Sequence, residues 1–209
     1  MNPKHILIIV ATQLEAQRLP PLPHSRVVVS GIGAVNAALS TQAALLEQPA
    51  DLVLSVGIAG AYPNSGLTLT DVIVSSSLVY AGLGVQTGNQ VQALTFAVAP
   101  DIFQILPAWH GAAAFAQAAY LEYGIIATLE TVTTDLSRAA GIETQFSARA
   151  EAMEGAGVAQ AALRLGVPTL ELRGISNMVG DRNNWRLQDA LRQLHLTLEQ
   201  HWDLLLESL

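Results

Sequence analysis

Cysteine is absent from the 209-residue sequence, and charged residues make up only 13% of it. The absence of cysteine excludes disulfide bonds, thiolate zinc sites and thiol nucleophiles. The low charged fraction, with 51% hydrophobic residues, argues against intrinsic disorder. The net charge of −7 argues against nonspecific binding of nucleic acid, which needs a basic surface. The five histidines are scattered along the chain, so we expect no metal site.

Long apolar runs are also missing. The run from Ile6 to Ala11 is too short for a signal-peptide core or a membrane span, and Glu15 follows it closely. Later apolar segments are interrupted by polar residues or turn signals before they reach spanning length. We therefore expect a cytoplasmic protein that does not bind a membrane.

Apolar runs rich in β-branched residues alternate with helical patterns along the chain. The sequence predicts strands at His5–Val10, Arg26–Ser30, Asp51–Val56, Asp71–Val79, Gln92–Val98, Gly124–Thr133 and Thr169–Ile175. It predicts helices at Ala34–Glu47, over most of Asp101–Glu122, from about Asp135, at Glu154–Leu165 and at Trp185–Leu206. This alternation predicts a single α/β domain, residues 1–209, with a mixed, mostly parallel β-sheet flanked by helices on both sides.

Two pairs of glycines follow predicted strands, at the sheet edge where ligands of such folds bind. Gly31-Ile-Gly33 can cradle a phosphate with backbone N–H groups or form a plain tight turn. Asn36 occupies the place of the third glycine of a dinucleotide fingerprint, so spacing alone favours the turn. Gly57-Ile-Ala-Gly60 permits the close approach of a flat ligand or forms a turn.

Two carboxylates occupy similar positions. Glu15 lies just past the first strand, where it can act as a general base on water or simply complement the dipole of a helix. Glu154 stands beside small residues, where its two oxygens can accept both hydroxyls of a ribose or charge a helix N-terminus. Met153 can pack beneath such a sugar as an apolar floor.

An arginine inside an otherwise apolar strand is the next unusual feature. Arg173 needs a carboxylate partner if it is buried, and Glu15 is a candidate. Asn177 follows at the predicted strand exit, with an amide that both donates and accepts hydrogen bonds. A structural ion pair and a turn asparagine are the alternative interpretation of these two residues.

Taken in order, these segments resemble the nucleoside phosphorylase and nucleosidase superfamily, over nearly the whole chain. The resemblance is carried by Glu15, Ser30-Gly-Ile-Gly33, Gly57-Ile-Ala-Gly60, Ala152-Met-Glu154 and Arg173-Gly-Ile-Ser-Asn177. The pattern is similar to methylthioadenosine/S-adenosylhomocysteine nucleosidases and still more to the futalosine hydrolases of menaquinone biosynthesis. Arg173 to Asn177, followed by Val179-Gly-Asp181-Arg182, resembles the futalosine hydrolases in particular.

The resemblance implies catalytic roles for three residues. Glu15 would activate water, Arg173 would orient that carboxylate, and Asn177 would act on the departing base. Substrate-binding residues follow in the same way. Glu154 would hold the ribose hydroxyls above Met153, and the remaining contacts would come from Ile58, Ala59, Gly60, Val132 and Thr133.

Three positions depart from the methylthioadenosine nucleosidase pattern. Asn177 replaces an aspartate, Ile58 replaces a serine and Ala152 replaces a glutamate. These differences disfavour adenine nucleosides. The resemblance therefore implies hydrolysis of a 6-oxopurine nucleoside, futalosine, to hypoxanthine and dehypoxanthine futalosine. It also implies that no cofactor or metal is needed and that the protein is a homo-oligomer, a dimer or larger.

Three alternatives stay open at this point. The first is a methylthioadenosine/S-adenosylhomocysteine or aminodeoxyfutalosine nucleosidase. The second is a purine nucleoside phosphorylase, which needs cations around a phosphate, whereas Arg18, Arg26 and Arg138 lie outside the glycine-rich strand exits. The third is a nucleoside-binding module without catalysis. For futalosine, we expect the carboxylate of the 5′ tail to contact Arg182 or Arg186.

Overall fold

The computed structural model describes residues 4–88, 90–92 and 105–209. The strands in these ranges are β1 (Ile6–Val10), β2 (Ser25–Val29), β3 (Leu52–Ala61), β4 (Val72–Tyr80), β5 (Val85–Thr87), β6 (Gln90–Gln92), β7 (Ile105–Pro107), β8 (Glu122–Thr128), β9 (Ala148–Ala152) and β10 (Thr169–Met178). The helices are α1 (Gln13–Arg18), α2 (Ala34–Glu47), α3 (Ala112–Ala118), α4 (Leu136–Phe146), α5 (Gly155–Arg164) and α6 (Leu187–Glu207).

Five of the strands close into a barrel. β3 pairs with β10, β10 with β4, β4 with β8, β8 with β9, and β9 pairs back with β3. The β10–β4 and β9–β3 pairs are antiparallel, and the other three are parallel. β1 pairs in parallel with β3 and β2, so these strands extend the sheet beyond the barrel. The α/β architecture with a mixed sheet is confirmed, but the description as a mostly parallel sheet flanked by helices omits the closed five-stranded barrel.

Helices cover the sheet with the faces that their sequence periodicity predicts. In α6 the residues Leu191, Leu194, Leu198, Trp202 and Leu205 are all buried, as expected for apolar positions three and four apart. The Trp202 indole N–H also donates to the Pro23 carbonyl at 2.9 Å, which ties α6 to the chain before β2. Within the described ranges, no helix is long and apolar enough to cross a membrane.

Several predicted element bounds need correction. β3 continues to Ala61, so Gly57–Gly60 lies inside a strand rather than in a loop after it. β8 ends at Thr128, five residues before the predicted end of that strand. The helix predicted over Asp101–Glu122 is restricted to α3, and Ile105–Pro107 forms β7 instead. Residues 93–98 of the predicted strand and residues 101–104 of the predicted helix lie outside the described residues.

Candidate active site

A cavity of about 410 Å³ opens at the carboxyl ends of β1, β3 and β10. These strands run parallel, so their carboxyl ends meet at one edge of the sheet, the usual binding edge of an α/β fold. The volume suits a small organic ligand. The walls are formed by Ala11, Thr12, Leu14, Glu15, Ile32, Ile58, Ala59, Gly60, Thr131, Val132, Glu151, Ala152, Met153, Glu154, Arg173, Ser176, Asn177, Trp185, Leu187 and Leu191.

The cavity brings together nearly all the residues singled out in the sequence. Its walls include Glu15, Ile58, Ala59, Gly60, Val132, Met153, Glu154, Arg173 and Asn177. Thr133 is the exception, because its side chain is buried behind the wall and its backbone N–H donates to Glu151 Oε1 at 2.9 Å. A direct substrate contact by the Thr133 side chain is therefore not supported by the geometry.

Glu15 is held by the first turn of α1. Thr12 caps this helix, and Glu15 Oε2 accepts hydrogen bonds from both the backbone N–H and the hydroxyl of Thr12, each at 2.8 Å. The side chain is buried and forms part of the cavity wall. Oε2 therefore serves the first turn of α1, close to the alternative interpretation of an acid at a helix N-terminus, and Oε1 lies beside Gly57.

Arg173 is the centre of a buried cluster of charges. Its Nη2 lies 3.2 Å from Glu154 Oε2 and its Nε lies 2.8 Å from Glu171 Oε1. Nη2 also donates to the Ser55 hydroxyl at 3.1 Å. Burial alone would lower the pKa of Arg173, but the carboxylates of Glu171, Glu154 and Glu15 outweigh it and raise the pKa, so the guanidinium stays charged.

Arg173 has the carboxylate partners that its burial requires, but the carboxylates in direct contact with it are Glu154 and Glu171 rather than the candidate Glu15. Glu15 approaches the guanidinium across Gly57 instead. A side-chain carbon built on Gly57 would lie 2.4 Å from Arg173 Nη1 and 2.5 Å from Glu15 Oε1. Gly57 is therefore required for the approach of these two side chains rather than for a turn.

Glu154 stands between the turn before α2 and the charge cluster. Its Oε1 accepts a hydrogen bond from the backbone N–H of Gly33 at 3.2 Å, while Oε2 faces Arg173. Gly33 adopts a φ of 98°, and Gly31 a φ of 87°, in the region that glycine favours. The tight-turn interpretation of this motif is therefore right, and the Gly33 N–H is directed at a carboxylate rather than at a phosphate.

Asn177 lies near the end of β10, at an irregularity of the β10–β3 pairing. Its Oδ1 accepts a hydrogen bond from the Ser176 hydroxyl at 2.9 Å, and its Nδ2 donates to the Met178 carbonyl at 3.2 Å. Nδ2 carries two hydrogens, and the structure assigns one of them to a protein acceptor. The amide lines the cavity with one N–H left to donate.

Glu151 is a wall residue to which the sequence assigned no role. Its Oε2 accepts a hydrogen bond from the Tyr62 hydroxyl at 2.9 Å, and its Oε1 accepts from the Thr133 N–H. Burial, together with the charge of Glu151, raises the pKa of Tyr62, so this hydroxyl remains a donor. Glu151 therefore fixes the segment that carries Val132 into the cavity wall.

Part of the cavity wall is apolar and is formed by Trp185, Leu187 and Leu191. The Trp185 indole N–H donates to the Asp181 carbonyl at 3.0 Å. Arg182 lies 5.7 Å from the centre of the Trp185 ring, and Arg186 lies 3.8 Å from Asp189. Neither arginine is part of the cavity wall, so the expected direct contact of Arg182 or Arg186 with a substrate tail is not supported by the geometry.

A second cavity, about 350 Å³, lies at the start of β10 beside Trp109. Its charged wall residues are Lys4 and Asp51, which pair with each other at 3.6 Å. In the part of the chain that the structure describes, no group of three or more His, Asp or Glu side chains is arranged to hold a metal ion. Convergent carboxylates thus distinguish the first cavity as the candidate active site.

Comparison with known families gives the superfamily. Residues 24–203 match the Phosphorylase superfamily. The chain belongs to the phosphorylase superfamily. The futalosine hydrolase of Streptomyces coelicolor is 39% identical to this chain in an alignment of 175 positions, which covers 80% of this chain and 74% of the relative. The futalosine hydrolase of Thermus thermophilus is 33% identical over 79% of this chain and 75% of its own length.

Methylthioadenosine/S-adenosylhomocysteine nucleosidases are related as well. The enzyme of Anoxybacillus flavithermus is 30% identical over 80% of this chain and 73% of its own length. The crystal structure of the Helicobacter pylori nucleosidase superposes with a TM-score of 0.81 at 22% identity, covering 97% of this chain and 99% of that one. The methylthioadenosine nucleosidase of Arabidopsis thaliana gives a TM-score of 0.81 at 20% identity, covering 100% of both chains. These structural likenesses show that the chain has the same fold as these nucleosidases.

Proposed function

We propose that the protein hydrolyses the N-glycosidic bond of futalosine in the cytoplasm, as a step of menaquinone biosynthesis. The products are hypoxanthine and dehypoxanthine futalosine. The observation that carries this proposal is the ring of carboxylates around Arg173, with Glu15 and Glu154 both in the wall of a nucleoside-sized cavity. The identities of 39% and 33% to two futalosine hydrolases support the choice of substrate.

The geometry suits a dissociative hydrolysis. As the bond from C1′ to N9 breaks, its electron pair leaves with the purine and the ribosyl group becomes cationic, as in glycoside hydrolysis. Glu154 accepts hydrogen bonds from the ribose hydroxyls above Met153. Glu15 takes a proton from water as the water oxygen bonds to C1′. The Asn177 N–H donates to the departing purine, which gains its proton from solvent.

Phosphorolysis on the same fold is disfavoured by the charges of the cavity. A phosphate would meet the carboxylates of Glu15 and Glu154, and Arg173 is already paired with acidic side chains. Arg26, a cation considered for such a site, pairs with Glu47 at 3.1 Å away from the cavity. The charges therefore favour neutral water as the acceptor.

Product analysis distinguishes the two reactions. The protein is incubated with futalosine in phosphate-free buffer and in buffer with phosphate. We expect the same rate in both and a free reducing sugar as the second product. Dependence on phosphate, with a sugar 1-phosphate as product, would establish a phosphorylase. Binding of futalosine without any turnover would establish a nucleoside-binding module.

Selection of the base provides a prediction about Asn177. A 6-oxopurine presents acceptors at O6 and N7, which suit an amide N–H donor, whereas an ionised aspartate only accepts and suits a 6-amino group. The native protein should prefer futalosine over its 6-amino analogue. Asn177→Asp should shift the ratio of the two kcat/KM values toward the analogue by about 10–100-fold, because one unsatisfied buried hydrogen-bonding group has an energetic penalty of that order.

The matched control for this prediction is Asn64→Asp. Asn64 bonds to Glu143 on the surface, so its replacement adds the same charge outside the cavity and should leave the ratio unchanged. If Asn177→Asp changes kcat/KM equally for both substrates, Asn177 has only a structural role at the end of β10 and does not select the base.

Assembly is proposed on the basis of exposed apolar residues beside the cavity. Ile32, Val35 and Leu39 are 56%, 65% and 62% exposed, which is typical of a surface that another protein covers. Ile32 also lines the cavity, so a second copy on this face would border the active site. We expect sedimentation to show a dimer or a larger oligomer, and we expect Leu39→Glu to weaken the association of the subunits. A fully active monomer would contradict this prediction.

A further inference from the structure

Glu171 is a buried carboxylate for which the reaction described above has no use. It lies in β10, two residues before Arg173, so both side chains point to the same face of the strand. Glu171 has no exposed surface. Its Oε1 lies 2.8 Å from Arg173 Nε, and its backbone N–H donates to the Ser75 hydroxyl. Oε2 has no hydrogen-bond partner among the described residues.

The surrounding chain makes room for this side chain. A side-chain carbon built on Gly155 would lie 2.2 Å from Glu171 Oε2 and 2.4 Å from its Oε1. Position 155 therefore accommodates glycine alone as long as the Glu171 carboxyl stays in place. Burial raises the pKa of Glu171, and Arg173 opposes that rise. A buried acid with one unsatisfied oxygen is costly for stability, so stability alone is a poor reason for its presence.

The charges around Arg173 suggest another reason. The guanidinium interacts with three acids, Glu171, Glu154 and Glu15. Glu154 and Glu15 line the cavity, whereas Glu171 contacts Arg173 Nε and is not part of the wall. A ribosyl cation forming at C1′ would be repelled by a buried guanidinium whose charge was not balanced. The two wall carboxylates already outbalance the guanidinium, and Glu171 adds a third negative charge beside Nε, which leaves more of the wall charge to act on the cation.

We propose that Glu171 is a positioning residue that fixes the Arg173 guanidinium and offsets its charge, so that the ribosyl cation faces a more negative site than the wall carboxylates alone would provide. This proposal rests on the proposed function, because it requires a substrate that becomes cationic at C1′. It assigns to Glu171 an effect on the transition state and none on the binding of the neutral substrate.

The test is Glu171→Gln, which keeps an oxygen to accept from Arg173 Nε and removes the charge. At an effective dielectric of about 20, the interaction of two unit charges separated by about 10 Å corresponds to a change in rate on the order of tenfold. We therefore expect kcat for futalosine to fall on the order of tenfold, with KM unchanged, because only the transition state carries the charge. A rise in KM with kcat unchanged would contradict the proposal.

A second measurement does not depend on turnover. The probes are a 9-deazahypoxanthine iminoribitol, whose ring nitrogen is protonated, and neutral 9-deazainosine, both titrated calorimetrically into the ligand-free protein. Glu171→Gln should weaken binding of the cationic probe on the order of tenfold and leave the neutral probe unaffected. If the native protein does not hydrolyse futalosine, the proposed function fails and this ratio still tests Glu171. Equal changes for both probes would overturn the proposal.

Two further variants separate charge from structure. Glu47→Gln removes a carboxylate that pairs with Arg26 at the surface, and it should change neither kcat nor the probe ratio. Glu171→Asp retains the charge. Its ratio of affinities for the cationic and the neutral probe should therefore equal that of the native protein, even if its stability is reduced. Thermal melting shows whether each variant folds. If Glu171→Gln does not fold, the test passes to Glu171→Asp. A folded Glu171→Asp variant that binds the cationic probe more weakly, relative to the neutral probe, than the native protein does would show that Glu171 is structural and that the proposal is wrong.

Discussion

Replacing Glu15 with glutamine is expected to lower kcat/KM for futalosine by about 10²–10⁴-fold, the usual contribution of a general base. The amide keeps the shape of the side chain and can still accept the hydrogen bonds that Thr12 donates to Oε2. It cannot take a proton from water. The capping of α1 should therefore survive, and the melting temperature should stay near the native value while turnover is lost.

The matched control is Glu130→Gln. This exposed carboxylate accepts a hydrogen bond from Tyr80 at 2.9 Å and is absent from the cavity wall. Its replacement should leave kcat/KM unchanged. Near-native turnover by Glu15→Gln, measured as hypoxanthine release, would show that the helix-capping role is the only role of Glu15.

Replacing Arg173 with leucine is expected to destabilise the fold by about 3–5 kcal/mol, because removal of one partner leaves buried carboxylates without a counter-charge. Glu171 and Glu154 would lose their ion pairs, and the Ser55 hydroxyl would lose a donor. Urea unfolding followed by circular dichroism measures the free energy of unfolding. Activity should be lost as well, because Glu154 and Glu15 would no longer be oriented.

The loss of stability in Arg173→Leu should depend on pH. Burial raises the pKa of Glu171, and without Arg173 that pKa rises further. A carboxyl whose pKa is higher in the folded than in the unfolded protein destabilises the fold as pH rises through that interval, so the loss should be greater at about pH 8 than at about pH 5.

The control is Arg186→Leu, which removes an exposed pair with Asp189 and should cost about 0–1 kcal/mol. Two results would contradict a stabilising role of the buried charges around Arg173. One is an equal loss of unfolding free energy in the two variants, and the other is a loss in Arg173→Leu that does not vary with pH.

Local sequence patterns were sufficient for the elements whose stability is local. The bounds of α2 agree with the prediction because an Ala- and Leu-rich segment follows Gly33 directly. The apolar face of α6 follows from residues three and four apart. β9 was not predicted, because Ala148–Ala152 carries two charged residues and no β-branched ones. Its pairing with β8 and β3 is what closes the barrel, and that pairing is a long-range contact.

The candidate site shows the same division. The order of motifs singled out Glu15, Glu154, Arg173 and Asn177, which all line one cavity. Glu15 and Asn177 meet there because β1 and β10 are both parallel to β3, whereas Glu154 follows β9, which is antiparallel to β3. The partners of Arg173 were harder to predict, since Glu154 is nineteen positions away in the chain and reaches Arg173 only through the fold. Glu171 carried a usable signal, an acid two residues before the arginine on the same face of an apolar strand.

The most direct test of the proposed function is a comparison of kcat/KM for futalosine, methylthioadenosine and inosine with the native protein. The single N–H of Asn177 that remains free favours hypoxanthine as the leaving base, and the apolar wall residues Trp185, Leu187 and Leu191 can pack against an aromatic 5′ substituent. We expect futalosine to be hydrolysed to hypoxanthine with a kcat/KM at least on the order of tenfold above that of either other nucleoside. Preferential release of adenine from methylthioadenosine, or hydrolysis of inosine as efficient as that of futalosine, would contradict the account.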